Sequence, residues 1–205
     1  VERVERVERV ERVERVERVE RQPAQWKQPL RAPRLRNGQF LGRGAQKTVH
    51  AEIRDARTVA VMKSQTHDLT LEATLMMRVS RHSPHRHVMR LIAIEYDALS
   101  KVSMVAPIAS FGSMLDLVDH LDFLGLDVTP LHKQEALGQV VGAVSHLNSI
   151  GIDHGDLAAR NVLVFAYKPS DPQATHVRLS DFGSAKRGQT SSVALWALAR
   201  ELSRL

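Results

Sequence analysis

The chain changes its apolar period partway along, and that change restricts its architecture more than any other feature. Between Gln39 and Lys63 the apolar residues fall in short strand-like runs, Phe40-Leu41, Thr48 to Ile53 and Thr58 to Met62, separated by Gly42-Arg43-Gly44 and by Arg54-Asp55-Ala56-Arg57. Runs of this length bounded by turn residues predict two hairpin-linked antiparallel strands and a third. From Asp68 to Arg81 the period is helical, with Asp68 as cap, Leu71, Leu75 and Val79 as the apolar stripe and Glu72 on the adjoining strip. Ser83-Pro84-His85-Arg86-His87 breaks that helix, and Val88 to Tyr96 and Lys101 to Ala106 predict two more strands. Thr129-Pro130 opens a long helix on Leu137, Val140, Val141, Val144 and Leu147, running to Gly151. The expected class is α+β: a five-stranded antiparallel lobe with one helix, then a mainly helical lobe.

With 205 residues, 43% of them apolar, the chain has room for one domain and an appendage. Residues 1–21 are that appendage, seven copies of Val-Glu-Arg. As a helix they set Glu2 four residues before Arg6 and Glu5 before Arg9, a favourable pairing. The Val stripe steps round such a helix by about 60° per repeat, so the segment reads as a solvated low-complexity tail in preference to a coiled coil. Residues 22–38, with Pro23, Pro29 and Pro33, form a linker. The domain is expected over residues 39–205, its lobes meeting near residue 109.

The repeat's Glu and Arg cancel, so the net charge of +6 belongs to the remainder. Apart from Lys27, Arg31, Arg34 and Arg36 the basic residues are dispersed, and with only nine aromatics no specific nucleic-acid partner is expected. The absence of cysteine excludes disulfides, a CxxC zinc site and a thiol nucleophile. No run of 18 apolar residues predicts a membrane span, and the charged N-terminus lacks a signal core, so a cytoplasmic location is expected.

One stretch carries most of the chemistry. From Gly151 to Gly183 a His, two Asp and an Asn stand at fixed offsets on loops beside short apolar strands, an arrangement suited to holding a metal-bound phosphate opposite a hydroxyl. His154-Gly155-Asp156-Leu157-Ala158-Ala159-Arg160-Asn161, followed by Asp181-Phe182-Gly183, resembles the catalytic and metal-binding loops of eukaryotic protein kinases, particularly the tyrosine-kinase and tyrosine-kinase-like groups. Four further elements stand in that family's order: the glycine turn Leu41 to Val49, the strand Val59-Ala60-Val61-Met62-Lys63, the helix Glu72, and Met104 to Leu115, which resembles the hinge. The resemblance covers about residues 39 to 186.

The resemblance implies a two-lobed protein-kinase-like fold, ATP and Mg²⁺ as cofactors and a protein substrate. In it Asp156 accepts the substrate hydroxyl's proton, and Asn161 and Asp181 hold Mg²⁺. Lys63, paired with Glu72, positions the α- and β-phosphates. Gly42, Gly44 and Val49 cover the phosphates, and Val61 joins the nucleotide-binding set. The C=O of Pro107 and the N–H of Ala109 bind adenine, with Ala106 guarding the pocket behind it. Arg160, within Ala-Ala-Arg-Asn, matches the tyrosine-kinase form of the loop.

Several departures accompany these matches. Lys47 occupies the third glycine position, and Ala60 lies three residues before Lys63, where the family pattern has two. Gly155 replaces the arginine usually found between the His and the Asp. The gap from Asn161 to Asp181, with Pro169 and Pro172, predicts an exposed insert. His82, His85 and His87 read as surface-loop histidines. Only 22 residues follow Gly183, without Ala-Pro-Glu. Ser191-Ser192 opens a helix over Val193 to Leu205, and the helical lobe reads as incomplete, a fragment leaving the Leu137 to Leu147 stripe short of cover. Three functional readings stand: an ATP-dependent protein kinase, a nucleotide-binding pseudokinase or scaffold, and an interaction module working through the repeat and the last helix.

Overall fold

A computed structural model describes residues 35–43, 47–64 and 66–205; the Val-Glu-Arg repeat, most of the linker and Gly44 lie outside the described residues. The first lobe is a five-stranded antiparallel sheet of β1 (Phe40–Arg43), β2 (Thr48–Arg54), β3 (Arg57–Lys63), β4 (Ala93–Tyr96) and β5 (Val102–Pro107), in the order β1-β2-β3-β5-β4. Between β2 and β3 the chain reverses at Asp55 and Ala56, both at positive φ (47° and 60°), the handedness that matches the twist of a tight hairpin.

Successive side chains of a strand point to opposite faces, and the sheet sorts accordingly. Met62, Met104 and Ala106 join the main core, together with Ala73 and Met76 of α1 (Thr70–His82), while Val59, Val61 and Val105 form a second cluster. The residue against the start of α1 is Leu69, and Asp68 accepts the Thr70 N–H at 2.9 Å. Its buried face is Glu72, Ala73, Met76 and Val79; Leu71, expected on the stripe, is 85% exposed. The helix turns its acidic residue inward because Glu72 finds a cation there.

Val88, Met89 and Leu91 are buried, but this segment is no strand of the sheet: Val88 bridges Leu179 instead, with Leu179 N–H donating to His87 O at 2.8 Å and Met89 N–H to Leu179 O at 2.8 Å. These bonds fasten the first lobe to the second.

The second lobe holds α2 (Met114–Phe123), α3 (Pro130–Ser149), β6 (Ile152–Asp153), β7 (Val162–Ala166), β8 (His176–Leu179), β9 (Lys186–Arg187) and α4 (Ser192–Arg204). Ser113 and Asp116 form a capping box on α2, Thr129 caps α3 with Pro130 in its first turn, and Ser191 caps α4. Val140, Val144 and Leu147 of α3 are buried, and α4 supplies Leu198 and Leu202, both within 1% of full burial, so the stripe expected to lack cover is largely packed. Trp196 and Val193 face outward, each 74% exposed.

The insert between β7 and β8 is likewise held in place. Gln139 of α3 donates to Thr175 O at 2.7 Å and accepts the Val177 N–H at 2.8 Å, and His132 Nε2 donates to Lys168 O at 3.0 Å. Tyr167 is buried there, which pushes its phenol up to about 12. His87 is also buried; its Nδ1 donates to Val177 O at 2.9 Å, and its ring lies 5.1 Å from His176. The expectation of a surface histidine fails there because β8 closes over it. No helix among the described residues is long and apolar enough to cross a membrane.

Candidate active site

The loop between β6 and β7 is built on His154, which is fully buried. Its Nε2–H donates to Ser180 O at 3.0 Å and its Nδ1 accepts the Asp156 N–H at 3.4 Å, so the ring is the neutral Nε2–H tautomer. Burial holds its pKa below the ordinary histidine value, consistent with that tautomer. Thr190 accepts the His154 N–H at 3.1 Å and donates to Asp153 at 2.9 Å, which ties the loop to the segment leading into α4.

On this base Asp156 is presented half-buried. Arg160 donates to both its carboxylate oxygens, at 2.7 and 2.9 Å, and Asn161 Nδ2 donates to its backbone O at 2.9 Å and its Oδ2 at 3.0 Å. The Asn161 amide nitrogen is thereby engaged, leaving Oδ1 as the free acceptor. Asp156 also lines a groove of about 370 Å³, shared with Gly155, Leu157, Lys186, Gln189 and Ala194. A larger groove of about 500 Å³ lies behind α1, between Leu75, Arg78, Ile150 and Arg187, and contains none of the expected site residues.

Ser180 joins this loop to the next. Its N–H and its hydroxyl both donate to Asn161 O, at 2.9 and 3.0 Å, so Asn161 and the adjacent Asp181 are fixed by one pair of bonds. Asp181 sits at φ +65°, a sparsely populated conformation for a non-glycine residue and one that clusters at functional sites. Burial alone raises its carboxyl, but the Lys47 ammonium and its hydrogen bond, with the Gly183 N–H, outweigh burial and hold it below the usual carboxylate value.

The cation of the site is not the expected one. Lys47 donates to Glu72 Oε1 and to Asp181 Oδ1, the latter at 2.7 Å, with only 9% of its side chain exposed. Lys63 pairs instead with Glu52 at 2.9 Å and is 51% exposed. Strand parity is the reason. Val49 pairs with Met62 and Thr48 with Lys63, so Lys63 shares a face with Thr48 and Glu52, while Met62 and Val49 share the other. Lys47, two residues before Val49, lies on the Val49 side and faces α1. Val61, expected in the nucleotide-binding set, is fully buried with Val59 and Val105 on the face away from Glu72.

The remaining expected residues fall as follows. Gly42 pairs with Val49 across the first hairpin, and both are half-buried. Pro107 ends β5 opposite Val59, Ala109 follows it half-buried, and Ala106 is completely buried. Gly155 has φ +79°, and a Cβ on it would stand 2.2 Å from Ser184 O, so a side chain is excluded by the loop bearing Asp181.

Sequence reasoning assigned no role to three residues that hold the site together: Lys47, Ser180 and Glu201. Glu201 of α4 accepts the Ala159 N–H at 3.0 Å and braces the Asp156 loop from below. Nothing in the sequence pattern marks Glu201, whereas Lys47 is marked by parity.

Comparison with known proteins places the chain in one family. The family model described as protein tyrosine and serine/threonine kinase matches residues 35–197. The chain is 30% identical over 158 residues to the putative ribosomal protein S6 kinase alpha-1 of Caenorhabditis elegans, covering 74% of this chain and 19% of that protein. It is 35% identical over 116 residues to the Ack-related non-receptor tyrosine kinase of the same organism (56% and 10%). It is 27% identical over 164 residues to the human serine/threonine-protein kinase ULK1 (76% and 15%). The chain therefore spans a fifth or less of the length of these three relatives.

Proposed function

Because the chain belongs to the protein tyrosine and serine/threonine kinase family, we propose that it transfers the γ-phosphoryl group of Mg²⁺-bound ATP to a protein hydroxyl. One observation carries the reading: Asp156, Asn161 and Asp181 are locked into a single unit through Ser180, with a buried lysine–glutamate pair reaching Asp181 from the other lobe.

Phosphoryl transfer asks a protein mainly for alignment and for stabilisation of charge. Asp156, oriented by Arg160 and Asn161, accepts the hydroxyl's proton. The groove beside it admits the hydroxyl-bearing segment. The turn from Gly42 to Val49, Gly44 included, covers the phosphates; Pro107 O and Ala109 N–H read the adenine edge.

The donors present fit Mg²⁺. Asn161 Oδ1 and the Asp181 carboxylate are hard oxygen ligands, and Mg²⁺ takes few protein ligands when phosphates and water supply the rest. Bound there, Mg²⁺ neutralises phosphate charge and fixes the transferring group.

Arg160, within Ala-Ala-Arg-Asn, resembles the tyrosine-kinase form of the loop, so a tyrosine hydroxyl is the proposed acceptor, with serine or threonine the alternative. The test is a γ-phosphate transfer assay on tyrosine- and serine-containing peptides with Asp156→Asn as control, beside thermal melting with Mg-ATP. Nucleotide at 100 times its Kd stabilises by about 2.7 kcal/mol. Transfer lost in Asp156→Asn is the expected outcome. A melting shift without transfer in wild type would leave a nucleotide-binding scaffold, and no shift at all would refute nucleotide binding.

A further inference from the structure

We infer that Lys47, carried by the phosphate-covering turn itself, is the cation that binds the α- and β-phosphates, and that Lys63 takes no part in nucleotide binding. This rests on the phosphotransfer reading and assigns a residue within it. In such a site the anchoring cation must meet two conditions: it must be braced by a carboxylate on the helix behind the sheet, and it must stand beside the metal ligand. Lys47 meets both, through Glu72 and Asp181. Lys63 meets neither, because it lies on the opposite face of β3 with Glu52.

The β3 residue on the correct face is Met62, a partly buried apolar side chain that offers no charge to a phosphate. Among the described residues, Lys47 is the one cation paired with Glu72 or Asp181. Arg160, the other cation of the site, is committed to Asp156. An ammonium held between two carboxylates is arranged for an anion: a polyphosphate entering beside Asp181 exchanges one carboxylate contact for phosphate contacts, while Glu72 keeps the lysine extended.

Labelling identifies the lysine on the unaltered chain. An acyl-phosphate derivative of ATP, which transfers its acyl group to an amine beside the phosphates, is expected to modify Lys47, with modification blocked by excess Mg-ATP. Blockable label on Lys63 with Lys47 unmodified overturns the assignment and leaves the phosphotransfer reading standing. No blockable label on any lysine overturns nucleotide binding, and the assignment falls with it. In parallel, Lys47→Met is expected to abolish the Mg-ATP melting shift and to lower kcat/KM for ATP by about 100-fold, the scale of losing one aimed charge contact. Lys63→Met is expected to stay within about 3-fold. Since Lys47→Met leaves two carboxylates unpaired, Lys47→Arg serves as the folding control: it keeps both pairs and the unliganded melting temperature, yet raises the ATP KM because a planar fork replaces a point charge. Wild-type KM in Lys47→Arg together with a retained shift in Lys47→Met overturns the inference.

Discussion

Gly155→Ala adds one carbon to the loop that carries Asp156, and its cost follows from two features of the structure. The residue sits at φ +79°, where an L side chain meets its own backbone at a cost of about 1–2 kcal/mol. The new Cβ would also stand 2.2 Å from Ser184 O, 3.0 Å from Ser184 C and 3.2 Å from Ser184 Cβ. Carbon and carbonyl oxygen approach no closer than about 3.3 Å even in favourable contact, so the Ser184 backbone must retreat by about 1 Å. Ser184 has little freedom to retreat: Ala185 N–H donates to Phe182 O at 3.0 Å, and two residues on, Lys186 and Arg187 pair with Asp153 and Ile152. Overpacking against backbone costs about 1–3 kcal/mol, which brings the total to about 2–5 kcal/mol. At about 2–4 °C per kcal/mol for a chain of this size, melting should fall by about 4–20 °C. Gly138→Ala on α3 is the control, because nothing lies within 4 Å of its added Cβ. There the same substitution should stabilise, by up to about 1 kcal/mol. Melting of the unliganded chain by calorimetry, with urea denaturation for the free energies, separates the two. A Gly155→Ala variant melting within 2 °C of wild type would refute the reasoning, and with it the account of why the family's arginine is absent from this position.

Two further perturbations probe the second lobe. Leu202→Ala removes a side chain 1% exposed in the main core and should cost about 2–5 kcal/mol in urea unfolding; a cost under 1 kcal/mol would mean that α4 is not docked on α3. The histidines between the lobes predict an acid-sensitive fold. His85, His87 and His176 are all held below their ordinary value, first by burial and then by neighbouring cationic or histidine side chains (His146, His87 and Arg86 for His85; Arg86 and Arg178 for His87; Arg178, His87 and Arg86 for His176), with the hydrogen bond to Val177 O and then Glu135 opposing this at His87. The unfolded chain therefore takes up protons first: stability is full above about pH 6.5 and falls as pH drops through the depressed folded values. Melting between pH 7.5 and 5.5 should show that decline, lessened in His87→Gln, and a flat profile would refute it.

Much of the fold was legible because two periods do not mix. The hairpins, the Thr129-Pro130 helix start and the Ser191 start each rest on local chemistry, and local chemistry is what a sequence displays. What failed depended on distant chain. Leu71 carries the apolar spacing of a buried stripe, yet α1 is rotated so that Glu72 meets Lys47, and an ion pair between residues 47 and 72 leaves no trace in the helix's own period. His87 looks like a loop histidine until β8 closes over it, 90 residues further on. The insert looked free because its anchors, Gln139 and His132, lie one side chain at a time on another helix.

The lysine is a different case, since the needed information was local. Aligning Lys63 with the motif left Ala60 three residues away instead of two, and an odd offset along a strand places two side chains on opposite faces. Ala60 and Met62 share a face; Ala60 and Lys63 do not. Crossing the hairpin with the register Val49 to Met62 and stepping back two residues, to the position just before β2, reaches Lys47, on the side of Met62 and beside the same helix. Lysine at the third glycine position and methionine at the strand position each weakened the resemblance when taken alone. Considered in three dimensions they describe one displacement, of a positive charge from β3 to its hydrogen-bonded neighbour, with the face and the carboxylate partner kept. Glu72 is the reason such a displacement can be tolerated. A carboxylate 6% exposed on its side chain must have a cation, and the sheet can present one from either of two adjacent strands provided parity is right.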